Sequence, residues 1–173
     1  MDFRIVSFGT PEYEENIKTL IHQCRKFKLN YSIETISSTG DRKDATLQKP
    51  FFIRKNLDCP VLWLDVDTKI RKKFDFPDLK FDVGFVHRIN AGVHPITSAC
   101  ILFNNTKWAK KFLDAWCFIC SNKELTPLED HARMLGTRTF LTKNNPLYME
   151  VDITDHVRGK IILDYGKKKQ YSI

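Results

Sequence analysis

Two carboxylates, Asp65 and Asp67, follow directly on the apolar run Val61-Leu62-Trp63-Leu64. A wholly apolar run of this length fits a strand buried on both faces of a parallel sheet. In open α/β sheets, ligands bind beyond the carboxyl ends of such strands. Two like charges so close together repel and call for a cation between them. A hard divalent ion, Mn²⁺ or Mg²⁺, shared with phosphate oxygens meets that need. A competing reading is a strand that ends in a hydrogen-bonded turn with Asp as its capping residue.

The elements that must position this pair can be read from periodicity. Residues 3–8 predict a buried strand, which Gly9-Thr10-Pro11 punctuates before a helix over 12–28. On that helix Tyr13, Ile17, Leu20, Ile21 and Cys24 recur at spacings of three and four and form one apolar face. Residues 31–36 alternate like a second strand, 37–44 are polar, and 45–57 predict a helix that ends before Pro60. Beyond the carboxylates, 81–87 and 96–103 read as strands. Residues 107–120 read as a helix with Trp108, Phe112, Trp116 and Ile119 on one face. Residues 128–135 predict a short helix and 137–141 a strand. The tail, ending in Lys167-Lys168-Lys169, predicts a frayed basic end. Alternating strands and helices predict a single α/β domain over 1–173, with a central, mostly parallel twisted sheet flanked by helices.

The chain has 173 residues, 42% of them hydrophobic and 12% aromatic, which suffices for one core and excludes disorder, collagen and coiled coil. No apolar run approaches the roughly 20 residues of a membrane-spanning helix. The start, MDFRIVSFGTPEYEEN, has a charged residue inside its apolar stretch, unlike a signal peptide. A soluble, cytoplasmic protein is expected. The formal net charge of +7 suits phosphate-bearing partners. Five cysteines, an odd number, favour free thiols, and Cys117 and Cys120 read as helix packing rather than a zinc or redox pair. Arg42, Lys43, Asp44 and Lys49 cluster ahead of the carboxylate strand, either as contacts for a diphosphate or as a solvated charged loop.

At VLWLDVDT the sequence resembles glycosyltransferases of the GT-A fold, whose D-x-D motif ends a hydrophobic strand. Lys49-Pro50-Phe51-Phe52-Ile53, followed by Asn56-Leu57, is similar to the helix that precedes the motif in many such enzymes. Ile96-Thr97-Ser98-Ala99-Cys100-Ile101-Leu102-Phe103-Asn104-Asn105-Thr106 is similar to their acceptor-side segment, with Ala99 where the family often has Gly. The likeness spans 3–160. It implies a GT-A-like (Rossmann-like) domain in which 1–67 is the nucleotide-binding half and 68–173 the acceptor-side half. The implied activity is metal-dependent transfer of a sugar from a nucleotide diphosphate sugar, UDP-sugar first, to a hydroxyl of a glycan or glycoprotein. Mn²⁺ (or Mg²⁺) is the implied cofactor.

The resemblance also implies roles. Glu129 and Asp130 match an acidic E-D or D-Q motif beside the sugar and would hold or deprotonate an acceptor hydroxyl; helix capping is the other reading. His156-Val157-Arg158-Gly159-Lys160 resembles a compressed H-x-x-G-x-x-K element. It would make His156 a third metal ligand beside Asp65 and Asp67, with Arg158 and Lys160 on the diphosphate. The end of the first strand, Phe8, Gly9, Thr10 and Tyr13, would take base and ribose, Gly9 through close backbone approach and Tyr13 by stacking. Asp65 would reach the donor through the metal.

Two other classes compete. Apolar-run-D-x-D-x-T also describes haloacid-dehalogenase-type phosphatases, with Asp65 as nucleophile and Asp67 as acid/base. A basic nucleic-acid-binding module would explain the charge, yet no zinc pattern, RNP-type strand or basic helix accompanies it, so no nucleic-acid partner is expected. In size and general pattern the chain resembles small virus-encoded transferases that decorate capsid proteins. Its brevity leaves acceptor-binding elements trimmed, or supplied by a partner or by a second copy in a homodimer.

Overall fold

The computed structural model describes residues 1–37, 42–76, 78, 80–87, 96–122, 124, 130–164 and 170–172. The chain opens with strand β1 (Arg4–Gly9), a single 3-10 turn at Pro11–Tyr13, helix α1 (Glu14–Lys26), strand β2 (Asn30–Thr35), helix α2 (Arg42–Lys55) and strand β3 (Val61–Leu64). It continues through β4 (Lys69–Ile70), β5 (Val83–His87), β6 (Ile96–Phe103), α3 (Lys107–Ser121) and α4 (Asp130–Asn144). β7 (Glu150–Asp152), the short α5 (Thr154–Val157), β8 (Ile161–Asp164) and β9 (Gln170–Ser172) complete it.

A six-stranded sheet in the order β2-β1-β3-β6-β5-β7 forms the centre. β1 pairs parallel with both β2 and β3, β5 pairs parallel with β7, and β6 runs antiparallel between β3 and β5. The expected mostly parallel α/β sheet is therefore present, with one reversed strand. Every residue of β3 is buried, as its apolar run requires. Alternation along the strands sends Val6, Phe8, Trp63, Phe85 and Phe103 to one face, under α2, α3 and α4. Ile5, Leu62, Leu64 and Leu102 go to the other, with α1, Phe74, Phe76 and Val157.

Three predicted elements are corrected. The short helix over 128–135 and the strand over 137–141 are in fact one helix, α4, within the described residues. Arg133, Met134, Thr137 and Leu141 lie buried along one of its faces. The alternating Thr137-Arg138-Thr139-Phe140 looked strand-like, but the Thr137 and Thr142 hydroxyls donate back to the Arg133 and Arg138 carbonyls and sit comfortably in a helix. The tail, predicted to fray, instead supplies β9, which pairs with β8 in a second, three-stranded sheet, β4-β8-β9. Lys167, Lys168 and Lys169 lie outside the described residues.

Gly84 shows how tightly the β5–β7 region closes. A Cβ there would lie 2.8 Å from Ile153 Cγ2 and 3.2 Å from Leu102 Cβ. Neither is a flexible side-chain end. Gly84→Ala is expected to cost about 1–3 kcal/mol through overpacking, more than the roughly 0.4–1 kcal/mol that a stiffer unfolded chain returns. Thermal denaturation checks it; an unchanged melting temperature would show that Ile153 can move aside.

Candidate functional site

The parallel strands β1 and β3 end side by side, and their carboxyl ends open into a cleft of about 540 Å³, counting its space open to solvent. Phe8, Gly9, Thr10 and Tyr13 line one side, Ala45, Thr46 and Lys49 of α2 another, and Trp63, Asp65, Val66 and Asp67 the third. Seven residues singled out in the sequence thus come together: Phe8, Gly9, Thr10, Tyr13, Lys49, Asp65 and Asp67. Ala45, Thr46, Trp63 and Val66 also border the cleft without having been singled out.

Backbone bonds hold Asp65 where β3 stops. Its N–H donates to the Ala99 carbonyl of β6 at 2.9 Å, and its own carbonyl accepts from Thr68 N at 2.9 Å, closing the turn that carries Asp67. Because Trp63 and Asp65 are two apart on a strand, both face α2. Phe8 packs edge-on against Trp63 and Phe52, with ring centroids 5.3 and 5.2 Å apart, and forms an apolar floor. At Gly9 a Cβ would come within 3.1 Å of Tyr13 Cβ and Ile17 Cδ1. The missing side chain therefore lets α1 start close against β1.

Of the two readings of Lys49, the solvated loop does not hold: the residue is a buried hub on α2 at the wall of the cleft. Its side chain is 5% exposed, and its Nζ lies 3.0 Å from Asp65 Oδ1 and 2.7 Å from Asp130 Oδ2. It also donates to the Ser98 carbonyl at 3.3 Å and stands 5.3 Å from the centre of the Trp63 ring. Burial pushes the ammonium toward its neutral form, but Asp130 and Asp65 more than reverse this and hold its pKa above the usual lysine value. The Trp63 indole N–H donates to the same Asp65 Oδ1 at 2.8 Å. Arg133, wholly buried, donates to Thr46 Oγ1 at 3.0 Å and lies 4.0 Å from Asp130 Oδ1.

Asp130 therefore does not line the cleft as an open base. Its carboxylate is 13% exposed and tied to Lys49, which itself lines the cleft. Glu129 and the side chains of Arg42 and Lys43 lie outside the described residues, and Asp44 is exposed in the first turn of α2.

The expected triad of Asp65, Asp67 and His156 is not assembled. His156, on α5, lies with its ring 5.9 Å from that of Phe76, on the sheet face opposite Trp63. Among the described residues no three His, Cys, Asp or Glu side chains form a metal cage. Arg158 points to Asp155 at 3.4 Å, and the Lys160 carbonyl accepts from Arg71 N at 2.8 Å beyond the end of β4; neither lines the cleft. The cause is topological. β7 is the far edge strand, three places from β3, and the turn after it serves the second sheet.

What borders the cleft is a pair of carboxylates. Among the described residues, Trp63 and Lys49 both donate to Asp65 at Oδ1, and Asp67 stands two residues on at the same opening. Such a set of hard oxygen donors fits a divalent cation whose remaining positions are filled by ligand oxygens and water.

No family model matches the sequence, and no curated protein does. Among solved structures, a glycosyltransferase involved in the glycosylation of the major capsid of PBCV-1 matches with a TM-score of 0.71 at 14% identity, covering 97% of this chain and 96% of that one. The chain has the fold of a glycosyltransferase. The glycosyltransferase GlyE of Streptococcus pneumoniae TIGR4 matches in two structures, one of them the apo form, with TM-scores of 0.54 and 0.55 at 14% identity. These alignments cover 88% and 91% of this chain but 46% and 47% of GlyE, so the chain corresponds to about half of that protein. Within this glycosyltransferase fold no helix among the described residues is long and apolar enough to cross a membrane.

Proposed function

We propose that the chain is a glycosyltransferase that takes a sugar from a nucleotide diphosphate sugar, UDP-sugar in the first instance, and passes it to a hydroxyl of a glycan or glycoprotein. The observation that carries this reading is the cleft where β1 and β3 end together, bordered by Asp65 and Asp67 on one side and by Thr10 and Tyr13 on another. The likeness to glycosyltransferases over nearly the whole chain supports it.

Asp65 and Asp67 would hold Mn²⁺ or Mg²⁺. When bound there, the ion would neutralise the diphosphate and act as a Lewis acid on its oxygens. The protein's own residues do the rest. Tyr13 offers a ring for the base, Thr10 a hydroxyl at the rim, and the Phe8–Trp63 floor keeps that side of the cleft dry. Lys49 holds the Asp65 carboxylate in place, and its buried charge adds a fixed positive potential as negative charge grows on the leaving diphosphate.

Titrating the protein with UDP in the presence and absence of Mn²⁺ tests the reading, together with slow hydrolysis of a UDP-sugar. Wild type is expected to bind UDP at least tenfold more tightly with Mn²⁺. Asp67→Ala is expected to lose that enhancement while still unfolding in one cooperative transition, since the residue is only partly buried at the strand end. Retained Mn²⁺-dependent affinity in Asp67→Ala would remove the proposed site.

A further inference from the structure

Asp65 carries a detail that the cation reading alone does not require. Two donors of different kinds converge on one of its oxygens: the Trp63 indole N–H at 2.8 Å and the Lys49 ammonium at 3.0 Å, both on Oδ1. We infer that Trp63 is a positioning residue, which through its N–H fixes the rotation of the Asp65 carboxylate so that Oδ2 is the oxygen offered to a divalent cation. This inference rests on the proposed function of the cleft.

The physical need comes from the softness of the aspartate side chain. Its terminal torsion is broad and roughly two-fold, so packing alone does not select one oxygen for the cleft. The ammonium supplies charge but little direction, because it is a point charge with three rotatable donors. An indole N–H is a single donor along a fixed line and carries no acceptor lone pair. Trp63 is 2% exposed, its ring set against Phe8 at 5.3 Å and beneath Lys49, so neither its orientation nor its donor is shared with water. Strand alternation supplies the register: a residue two before the carboxylate is the strand neighbour on its face. Outer partners of this kind orient metal ligands, and their loss typically weakens the metal by 10–100-fold.

Trp63→Phe keeps a ring in the floor and deletes the N–H. A second variant, with benzothienylalanine inserted at position 63 by codon suppression, keeps the bicyclic shape and replaces N–H by sulfur, so loss of packing cannot account for its result. Free Mn²⁺ is followed by electron paramagnetic resonance in the presence of UDP. Both variants are expected to bind Mn²⁺ roughly tenfold more weakly, a loss larger than any change in their metal-free UDP affinity. In an Asp65→Ala background the same two changes are expected to have no effect on Mn²⁺ affinity. A change below twofold, or an equal loss without Asp65, overturns the role of Trp63 and leaves the cleft reading intact. A wild-type protein that binds no Mn²⁺ with UDP overturns the cleft reading itself.

Discussion

Lys49→Met is expected to destabilise the folded chain by about 3–5 kcal/mol, because it removes the ammonium that Asp130 and Asp65 share where they have been taken out of water. Asp130 bears most of this cost: its side chain is 13% exposed and sits 2.7 Å from the amine, whereas Asp65 is 32% exposed and partly screened by solvent. For a chain of this size the melting temperature should fall by roughly 10 °C or more. Lys49→Met combined with Asp130→Leu should recover much of the loss, since apolar replacement of both partners of a buried pair is often near neutral. A single variant that melts within about 2 °C of wild type would show that the pair contributes nothing net.

The pH dependence of that deficit has a definite sign. With its folded pKa held above the usual lysine value, first against burial and then by Asp130 and Asp65, the ammonium contributes its full stability below the unfolded pKa. That stability is lost only as pH rises through the elevated folded value. The difference in stability between wild type and Lys49→Met should therefore stay flat between roughly pH 7 and 9. A deficit shrinking across that window would mean that Lys49 titrates far lower.

Phe112→Ala should cost a similar amount, about 3–5 kcal/mol, by a different route. Phe112 is wholly buried, and its ring centroid lies 5.7 Å from that of Phe103, 6.0 Å from Phe85 and 6.2 Å from both Trp116 and Tyr148. Removing it leaves a void that four surrounding aromatic rings can close only in part. Because Phe112 does not border the cleft, the folded fraction of Phe112→Ala should keep wild-type affinity for UDP and Mn²⁺. Lys49→Met should lose stability and affinity together. Equal losses of affinity in both variants would mean that the cleft reports global stability and that Lys49 has no local part in it.

Much of this architecture was visible along the chain. The unbroken apolar run 61–64 announced a doubly buried strand, and the polar pair after it announced a strand end, because burial and solvation switch sharply there. The apolar spacing of α1 and α3 matched their buried faces, Ile17, Leu20 and Cys24 in one and Phe112 and Trp116 in the other. Strand direction was not visible in the same way. β6 is as apolar as its neighbours, and an apolar run reports burial but not whether the strand runs up or down. The second sheet was hidden as well, since β4 has two residues and β9 three, too few for any period to register.

The site divides along the same line. The carboxylate pair at 65 and 67, and the turn at Phe8–Thr10, could be placed from local pattern because each lies at the end of its own strand, and parallel pairing of β1 with β3 then brings those ends together. The fate of Lys49 could not, for its partner Asp130 lies 81 residues away, and a lysine in sequence looks the same whether it ends in water or between two carboxylates. His156 failed as a ligand for the converse reason: imidazole chemistry was there in the letters, but strand order put it on the other face, beside Phe76. Chemical type and local spacing travel with the chain, whereas counter-charge, burial and distance belong to pairs of segments, and those pairs exist only once the sheet has chosen its order.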